Sequence, residues 1–297
     1  MMEITLLGTS SMVPTEERNH SGALLRYKEE NILIDCGEGT QRQLRKAKLS
    51  AMKITRILIT HWHGDHILGL PGLFLTLGSL GYSGTLEIYG PRGSKDYIRK
   101  IMDTFVLREL VSYKVIEVDS GILFRHEDFH VEALGLVHGT RCLGYRVVEK
   151  DTWKIDMKKL KKMGVKEGPH LKSLQKGEDI VYQDKKIKAK DVTTLIPGKK
   201  VAFVTDTMFC DNAITLAKDA DILFCESTYL EELKEQAHER KHMTALEAAT
   251  VAKKAKAKKL VLIHFSQRYT DLSLFTKEAK KVFPQVTAGK DFSVFTV

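Results

Sequence analysis

Cysteine is scarce in this chain, four in 297 residues, and Cys36, Cys142, Cys210 and Cys225 stand apart with no CxxC pair among them. That scatter excludes a disulfide framework and a thiolate zinc ribbon, and the four are expected to be buried, reduced hydrophobes. Long apolar runs are missing too. None approaches the roughly 18 residues needed to cross a bilayer, so no membrane partner is expected. The opening residues, MMEITLLGTSSMVPTEERNH, lack the basic and apolar stretches of a secretory leader, and a cytoplasmic location is the expectation. Arginine is absent from Lys150 to Lys200, where fifteen lysines face seven Asp or Glu, so an excess of eight positive charges carries most of the chain's net +9. Two readings of this patch stay open on composition: a surface that binds nucleic acid by counterion release, or a lysine-rich insertion that aids solubility.

What is present fits a folded globular chain, since 43% hydrophobic and 29% charged residues are ordinary values. The length suffices for a sizeable core. Short apolar runs bounded by Gly, Asn and Ser read as strands: EITLLG, GALLRYKEENILIDCG as a hairpin turning through Lys28 to Asn31, ITRILITHWHGDH, TLEIYGP, two in FHVEALGLVHGTRCLGYRVVE, KVAFVTDT, DADILFCEST and KKLVLIHFS. EGTQRQLRKAKL reads as a helix. HMTALEAATVAKKAKA is a second helix, with Thr244 as cap and Glu247 three residues on. Strands and helices thus alternate in an α/β pattern. The segment around 150–195 differs, with weak apolar periodicity, and reads as an insertion rather than part of the main core.

The densest chemistry lies in LITHWHGDH. A strand there would send His61 and His63 out of one face, with Gly64 permitting a turn and Asp65 and His66 opening a helix. Imidazole and carboxylate ligands suit zinc and related metals, and the absence of Cys favours a catalytic site with an open position over a closed structural one. His138, Asp206 and His264 each follow an aliphatic run, so strand ends could gather them at the same sheet edge. Taken singly, each is more often bland than functional. Together they make seven ligands, enough for two metals sharing one carboxylate, and such pairs, roughly 3.5 Å apart, hydrolyse phosphate esters.

HxHxDH with a later His, Asp and His resembles the metallo-β-lactamase superfamily. The resemblance implies a four-layered αββα sandwich, one domain over 1–297 with residues 148–195 as an inserted arm. HGDHILGLPGL, CESTY, HMTALEA and HFSQRY are further similar to the ribonuclease Z family, endonucleases that remove 3′ trailers from precursor tRNA, and the length matches its short, homodimeric form. The resemblance implies that His61, His63 and His138 hold one zinc ion, that Asp65, His66 and His264 hold a second, and that Asp206 bridges them. Manganese or another divalent metal is the alternative to zinc. It also implies that Asp65 orients or deprotonates the attacking water, that Glu226 orients His242 to protonate the leaving ribose oxygen, and that Arg268 meets the scissile phosphate. Without the resemblance, His242 reads first as a residue leading into a helix, and Arg268 as readily as a surface arginine. Gly168 and Pro169 match the tip of an arm that grips the tRNA elbow in that family, through phosphate rather than base contacts.

One loop departs from the family. Where members that avoid CCA-ending tRNA carry Pro-x-Lys-x-Arg-Asn, this chain reads PTEERN, with Glu16 reversing the charge. The family's treatment of CCA therefore does not carry over with the loop. Two other readings share the metal motif or the basic patch: a hydrolase of small phosphodiesters or esters, and an RNA-binding protein with a structural or decayed metal centre.

Overall fold

The parallel strands Lys200–Val204, Ile222–Glu226 and Leu260–Ile263 alternate between two environments. Ala202, Val204, Leu223, Cys225, Leu260 and Leu262 pack with the helices Asp211–Ala217, Ala245–Lys254 and Ser273–Ala279 in one apolar cluster. The intervening residues point the other way. Phe203 stacks on Phe224, and Phe224 meets Phe295 of the opposite sheet edge-on, with ring centroids 5.4 Å apart. Alternation at period two in strands buried on both faces is what makes a sheet the filling of a sandwich.

The computed structural model describes residues 1–107 and 110–297. Its two large sheets have seven strands each. The first runs Val294–Thr296, Glu3–Gly8, Gly22–Tyr27, Glu30–Ile34, Arg56–Leu58, Leu86–Pro91, Tyr113–Val118. The second runs Val286–Ala288, Leu260–Ile263, Ile222–Glu226, Lys200–Val204, Arg141–Glu149, Phe129–Val137, Gly121–Arg125. The first is covered on its outer face by Thr40–Lys46, Leu70–Ser79 and Ser94–Thr104, whose Leu44, Leu73, Phe74, Leu77, Ile98 and Met102 pack with Leu33, Ile57 and Ile88. The result is the four-layered αββα sandwich expected from the resemblance. The expected capping box is present as well, with Thr244 accepting from the Glu247 amide and Glu247 accepting from the Thr244 amide.

Two details differ from expectation. The strand before the histidine motif is only Arg56–Leu58, so His61 and His63 lie in the loop beyond it, not on a strand face. Its neighbours explain why the chain leaves the sheet: the Asp35 carboxylate takes the Thr60 amide, and the Thr60 carbonyl accepts from the Leu143 amide. Cys210 is half-buried rather than buried, while the other three cysteines are buried, and all four are free.

The chain divides into two compact units. One comprises Met1–Arg125, Val131–Val147 and Lys200–Val297, and the other His126–His130 and Val148–Lys199. The second unit has its own small core of Leu160, Val165, Leu174, Ile180, Ile187, Ala189 and Val192. Its hairpin, Ile180–Tyr182 with Lys185–Ile187, turns through Gln183 and Asp184, both at positive φ as a two-residue hairpin turn requires. Among the described residues no helix is long and apolar enough to cross a membrane.

Because Phe224 fills the space between the sheets, Phe224→Ala is expected to lower stability by about 3–5 kcal/mol, read as a shifted urea midpoint with unchanged m-value. A loss under 1 kcal/mol would contradict this placement.

Candidate metal and active site

The candidate side chains sit where strands end. Asp35 follows Glu30–Ile34, His61 follows Arg56–Leu58, His138 follows Phe129–Val137, Asp206 follows Lys200–Val204, Glu226 ends its strand, and His264 follows Leu260–Ile263. Parallel strands expose their carboxyl ends at one edge, which is why α/β sheets bind ligands there. Gly64–Ile67 forms a short helix carrying Asp65 and His66 to that edge. It packs tightly: Cys36 donates to the His66 carbonyl at 2.7 Å, and Gly69 donates to the Cys36 carbonyl at 2.9 Å. A Cβ on Gly69 would come within 2.0 Å of the Gly37 carbonyl oxygen, so only glycine allows this approach. Asp35 and His264 both hold left-handed φ angles, 56° and 62°, a strained conformation that persists where the surroundings enforce it.

All seven expected ligands come together. His61, His63, His138 and Asp206 offer ligand atoms within 4.8 Å of one another, and so do Asp65, His66, Asp206 and His264. Asp206 presents one oxygen to each group. Its Oδ2 lies 3.7 Å from His61 Nε2 and 3.9 Å from His138 Nε2, and its Oδ1 lies 3.3 Å from His66 Nε2 and 3.2 Å from His264 Nε2.

Hydrogen bonds on the far side of four of the five rings fix their tautomers. His66 Nδ1 donates to Asp35 Oδ2 at 2.7 Å and His138 Nδ1 to the Lys241 carbonyl at 3.0 Å. Thr60 spends its hydroxyl proton on Asp35, so it accepts from His61 Nδ1 at 3.1 Å. Thr228 spends its own on Glu226, so it accepts from His264 Nδ1 at 2.9 Å. In its neutral form each of these four rings therefore turns an unprotonated Nε2 inward. His63 Nδ1 lies 3.0 Å from His61 Nε2 and 3.1 Å from His138 Nε2, a convergence of lone pairs.

The groups fit divalent metal on the structure's own terms. Asp65 Oδ1, His66 Nε2 and Asp206 Oδ1 are buried with no hydrogen-bond partner, although such atoms are nearly always paired. Burial lowers His61 and His63 below the usual imidazole range, reinforced by their imidazole neighbours. Burial would raise Asp206 and Asp65, but the surrounding imidazoles hold both well below the usual carboxylate range. His66 is held well above its usual value because Asp206, Asp65 and Asp35 outweigh its burial, so this locus demands positive charge. Inward lone pairs with ionised carboxylates suit zinc or a similar ion.

Glu226 is fully buried. Its Oε1 accepts from the Thr207 amide at 2.6 Å and from His242 Nδ1 at 3.0 Å, and its Oε2 accepts from the Thr228 hydroxyl at 2.8 Å and the Met243 amide at 3.2 Å. Burial alone would lower His242, yet Glu226 pushes it up to about 9. A cavity of about 420 Å³ joins His63, Asp65, His138, Asp206, His242, His264, Tyr229 and Arg268. The exposed Arg268 lies over the Tyr229 ring, 5.1 Å from its centroid, and donates to Gln236 Oε1 and Ser266 Oγ. Gly168 and Pro169 lie in the second unit, between the helices Met157–Lys162 and Leu171–Gln175. In the N-terminal loop Glu16 is exposed, whereas Arg18 is buried and donates to the Tyr269 carbonyl at 2.9 Å. A second cavity, about 600 Å³, is lined by Arg18, Lys290 and Asp291 and contains none of the seven ligands.

The residues missed in the sequence are those behind the ligands: Asp35, Thr60 and Thr228. Asp35 carried a usable signal, since LIDCG is another aliphatic run ending in a carboxylate. The threonines carried none.

Comparison with known proteins places this architecture. Residues 189–265 match the beta-lactamase superfamily domain, and residues 2–96 match the Anti-Pycsar protein Apyc1 family. The metallo-beta-lactamase fold protein YhfI from Bacillus subtilis shares the fold, with a TM-score of 0.73 and 22% identity over 99% of this chain and 98% of that one. The class is thus the metallo-β-lactamase fold. The Ribonuclease Z of Picosynechococcus is 42% identical over 100% of this chain and 96% of its own, and that of Protochlamydia amoebophila 39% identical over 99% and 96%. The short form of human tRNase Z aligns with a TM-score of 0.73 and 33% identity over 99% of both chains. The chain belongs to the ribonuclease Z family.

Asp35→Ala removes the acceptor that orients His66, so divalent-metal affinity is expected to fall about 10- to 100-fold, measured by competition against a fluorescent chelator. Unchanged affinity would show that Asp35 has no such hold.

Proposed function

We infer that this protein is a zinc-dependent endoribonuclease that cuts the 3′ trailer from precursor tRNA, leaving a 3′-hydroxyl on the tRNA and a 5′-phosphate on the trailer. The observation that carries this reading is the seven-ligand cluster opening, together with the Glu226–His242 pair, into one cavity, in a chain matched end to end by ribonuclease Z proteins.

His61, His63 and His138 would hold one ion, Asp65, His66 and His264 the other, and Asp206 would reach both. When bound, such ions act as Lewis acids that make water nucleophilic near neutral pH and neutralise charge on the phosphodiester. Asp65 keeps Oδ1 unengaged, which suits a carboxylate that orients the attacking water and takes its proton. His242 donates a hydrogen bond from Nδ1 to Glu226 and keeps that proton, which leaves the Nε2 proton of the charged imidazole for the departing ribose 3′-oxygen. The Glu226 carboxylate stabilises the charged imidazole before that transfer. Arg268, positioned over Tyr229, offers a planar fork of donors to phosphate oxygens.

The second unit, with Gly168 and Pro169 at a loop between its helices, serves as an exosite for the body of the tRNA. Its exposed Lys158, Lys159, Lys161, Lys162, Lys166, Lys172 and Lys176 support this, since lysines spread over such a surface meet phosphates rather than base edges. The enzyme works in the cytoplasm as a homodimer, a reading supported by four free cysteines and by Leu68, Leu75 and Leu80 exposed around the helix Leu70–Ser79. Hydrolysis of small phosphodiesters would use the same seven ligands and is expected as a side activity.

Precursor tRNA incubated with the zinc- or manganese-loaded protein should yield the two stated ends, mapped by end-labelling; no cleavage would sink the reading. Asp65→Ala should lower kcat by at least about a thousandfold while precursor tRNA still binds in a gel-shift assay, and retained turnover would remove Asp65 from its role.

Reversing charge in the second unit with K161E, K162E and K166E together should raise KM for precursor tRNA about tenfold or more and flatten its salt dependence. Turnover of a small phosphodiester should not change. Equal effects on both substrates would argue against an exosite.

A further inference from the structure

Trp62 stands between two of the metal-cluster histidines, yet its side chain belongs to a different cavity. Its ring stacks on Tyr97, with centroids 4.9 Å apart and planes 21° apart, and its Nε1 donates to Ser94 Oγ at 2.8 Å. Ser94 in turn donates to the Pro91 carbonyl, so the indole is held in one orientation. Tyr97 remains 46% exposed. The two rings, with Pro91, Arg92, Gly93, Thr140 and Arg141, line a cavity of about 260 Å³. It adjoins the metal cluster through the chain itself: Thr140 and Arg141 follow His138 by two and three residues, and a Cβ on Gly139 would sit 3.9 Å from His63 Cε1.

Cations are available there. Arg141 is exposed and has no hydrogen-bond or ion-pair partner among the described residues. Arg92 pairs with Asp119 at 2.6 Å, but both are more than half exposed, and such pairs exchange readily for a phosphate. Lys100 Nζ, paired with Asp96, approaches to 5.9 Å from the Tyr97 centroid. The adjacent helix end offers no anion seat, because Glu117 already accepts from the Gly93 and Lys95 amides. An aromatic pair flanked by exposed guanidinium groups is how proteins hold unpaired nucleotides, by base stacking with backbone neutralisation.

We propose that Trp62, Tyr97, Arg92 and Arg141 form a stacking subsite for one unpaired nucleotide of the RNA substrate, next to the scissile phosphate. The subsite deepens the endoribonuclease reading and rests on it. A phosphodiester presented to the cluster must be held on both sides to reach a reactive geometry. Arg268 over Tyr229 serves the strand in the metal cavity, and the Trp62–Tyr97 platform takes the neighbouring nucleotide.

Tyr97→Ala should raise KM for precursor tRNA by about tenfold, the scale of one lost base stack, and Arg141→Ala should raise KM severalfold and flatten its salt dependence, both with kcat and small-phosphodiester turnover unchanged. Tyr97→Phe should retain the wild-type KM. An abasic nucleotide at one position beside the cut should weaken the wild type by the same factor and add nothing in Tyr97→Ala. Scanning that position tells the trailer side from the tRNA side. With Trp153→Phe leaving Trp62 as the only tryptophan, the precursor should quench its fluorescence and the matching abasic precursor should not. Wild-type KM in both alanine variants, or abasic losses that add at every position, would overturn the subsite alone. Failure of the protein to cut any precursor tRNA while it cuts a small phosphodiester would overturn the endoribonuclease reading and the subsite with it.

Discussion

Four carboxylates, Asp35, Asp65, Asp206 and Glu226, are each at most 3% exposed, and burying charge is the most expensive thing a fold can do unless each charge is matched. The matching organises the catalytic edge. Asp35 takes three hydrogen bonds, from the Thr60 amide, the Thr60 hydroxyl and His66. Glu226 takes the Thr207 and Met243 amides, the Thr228 hydroxyl and His242. Asp65 and Asp206, by contrast, keep buried oxygens without hydrogen bonds. The two saturated carboxylates act as anchors, and the two incompletely satisfied ones are left to draw in cations.

One hydroxyl joins the seven-ligand cluster to the Glu226–His242 pair. Thr228 can give its single proton to only one acceptor, and Glu226 Oε2 is the carboxylate at 2.8 Å. The same hydroxyl oxygen then accepts from His264, which forces an inward lone pair on that ring. Glu226 meanwhile holds His242 in its charged form. The protonation of His242 and the tautomer of His264 are thus set by a single chain of hydrogen bonds, a coupling that low dielectric surroundings strengthen.

The motif residues were legible because their spacing is local: HxHxDH falls within six residues, and the remaining ligands each end an aliphatic run. Their partners were not legible, because Asp35 meets His66 across 31 positions and Thr228 meets His264 across 36. A threonine that sets a tautomer looks like any other threonine until the fold brings it to a ring. The strand reading of His61 and His63 erred for a related reason, since the Asp35 contact to Thr60 draws the chain out of the sheet early. In the lysine-rich segment, charge masked a core of seven small and medium apolar residues whose spacing follows neither a long helix nor a long strand.

Exposure separates two kinds of residue at this edge. The ligand candidates other than His63 are buried, as are Asp35 and Glu226 behind them, so a change in any of these leaves an unmatched charge or lone pair inside the protein. Arg268, Tyr97, Arg92, Arg141 and Glu16 are exposed, and most of their energy is available to a substrate rather than committed to the fold. The ligand cluster is therefore tied to the stability of the sandwich, whereas the exposed residues around it are not. One metal edge can accordingly serve substrates of different shape while its loops and inserted unit vary, which is the pattern expected when function is grafted onto a fold.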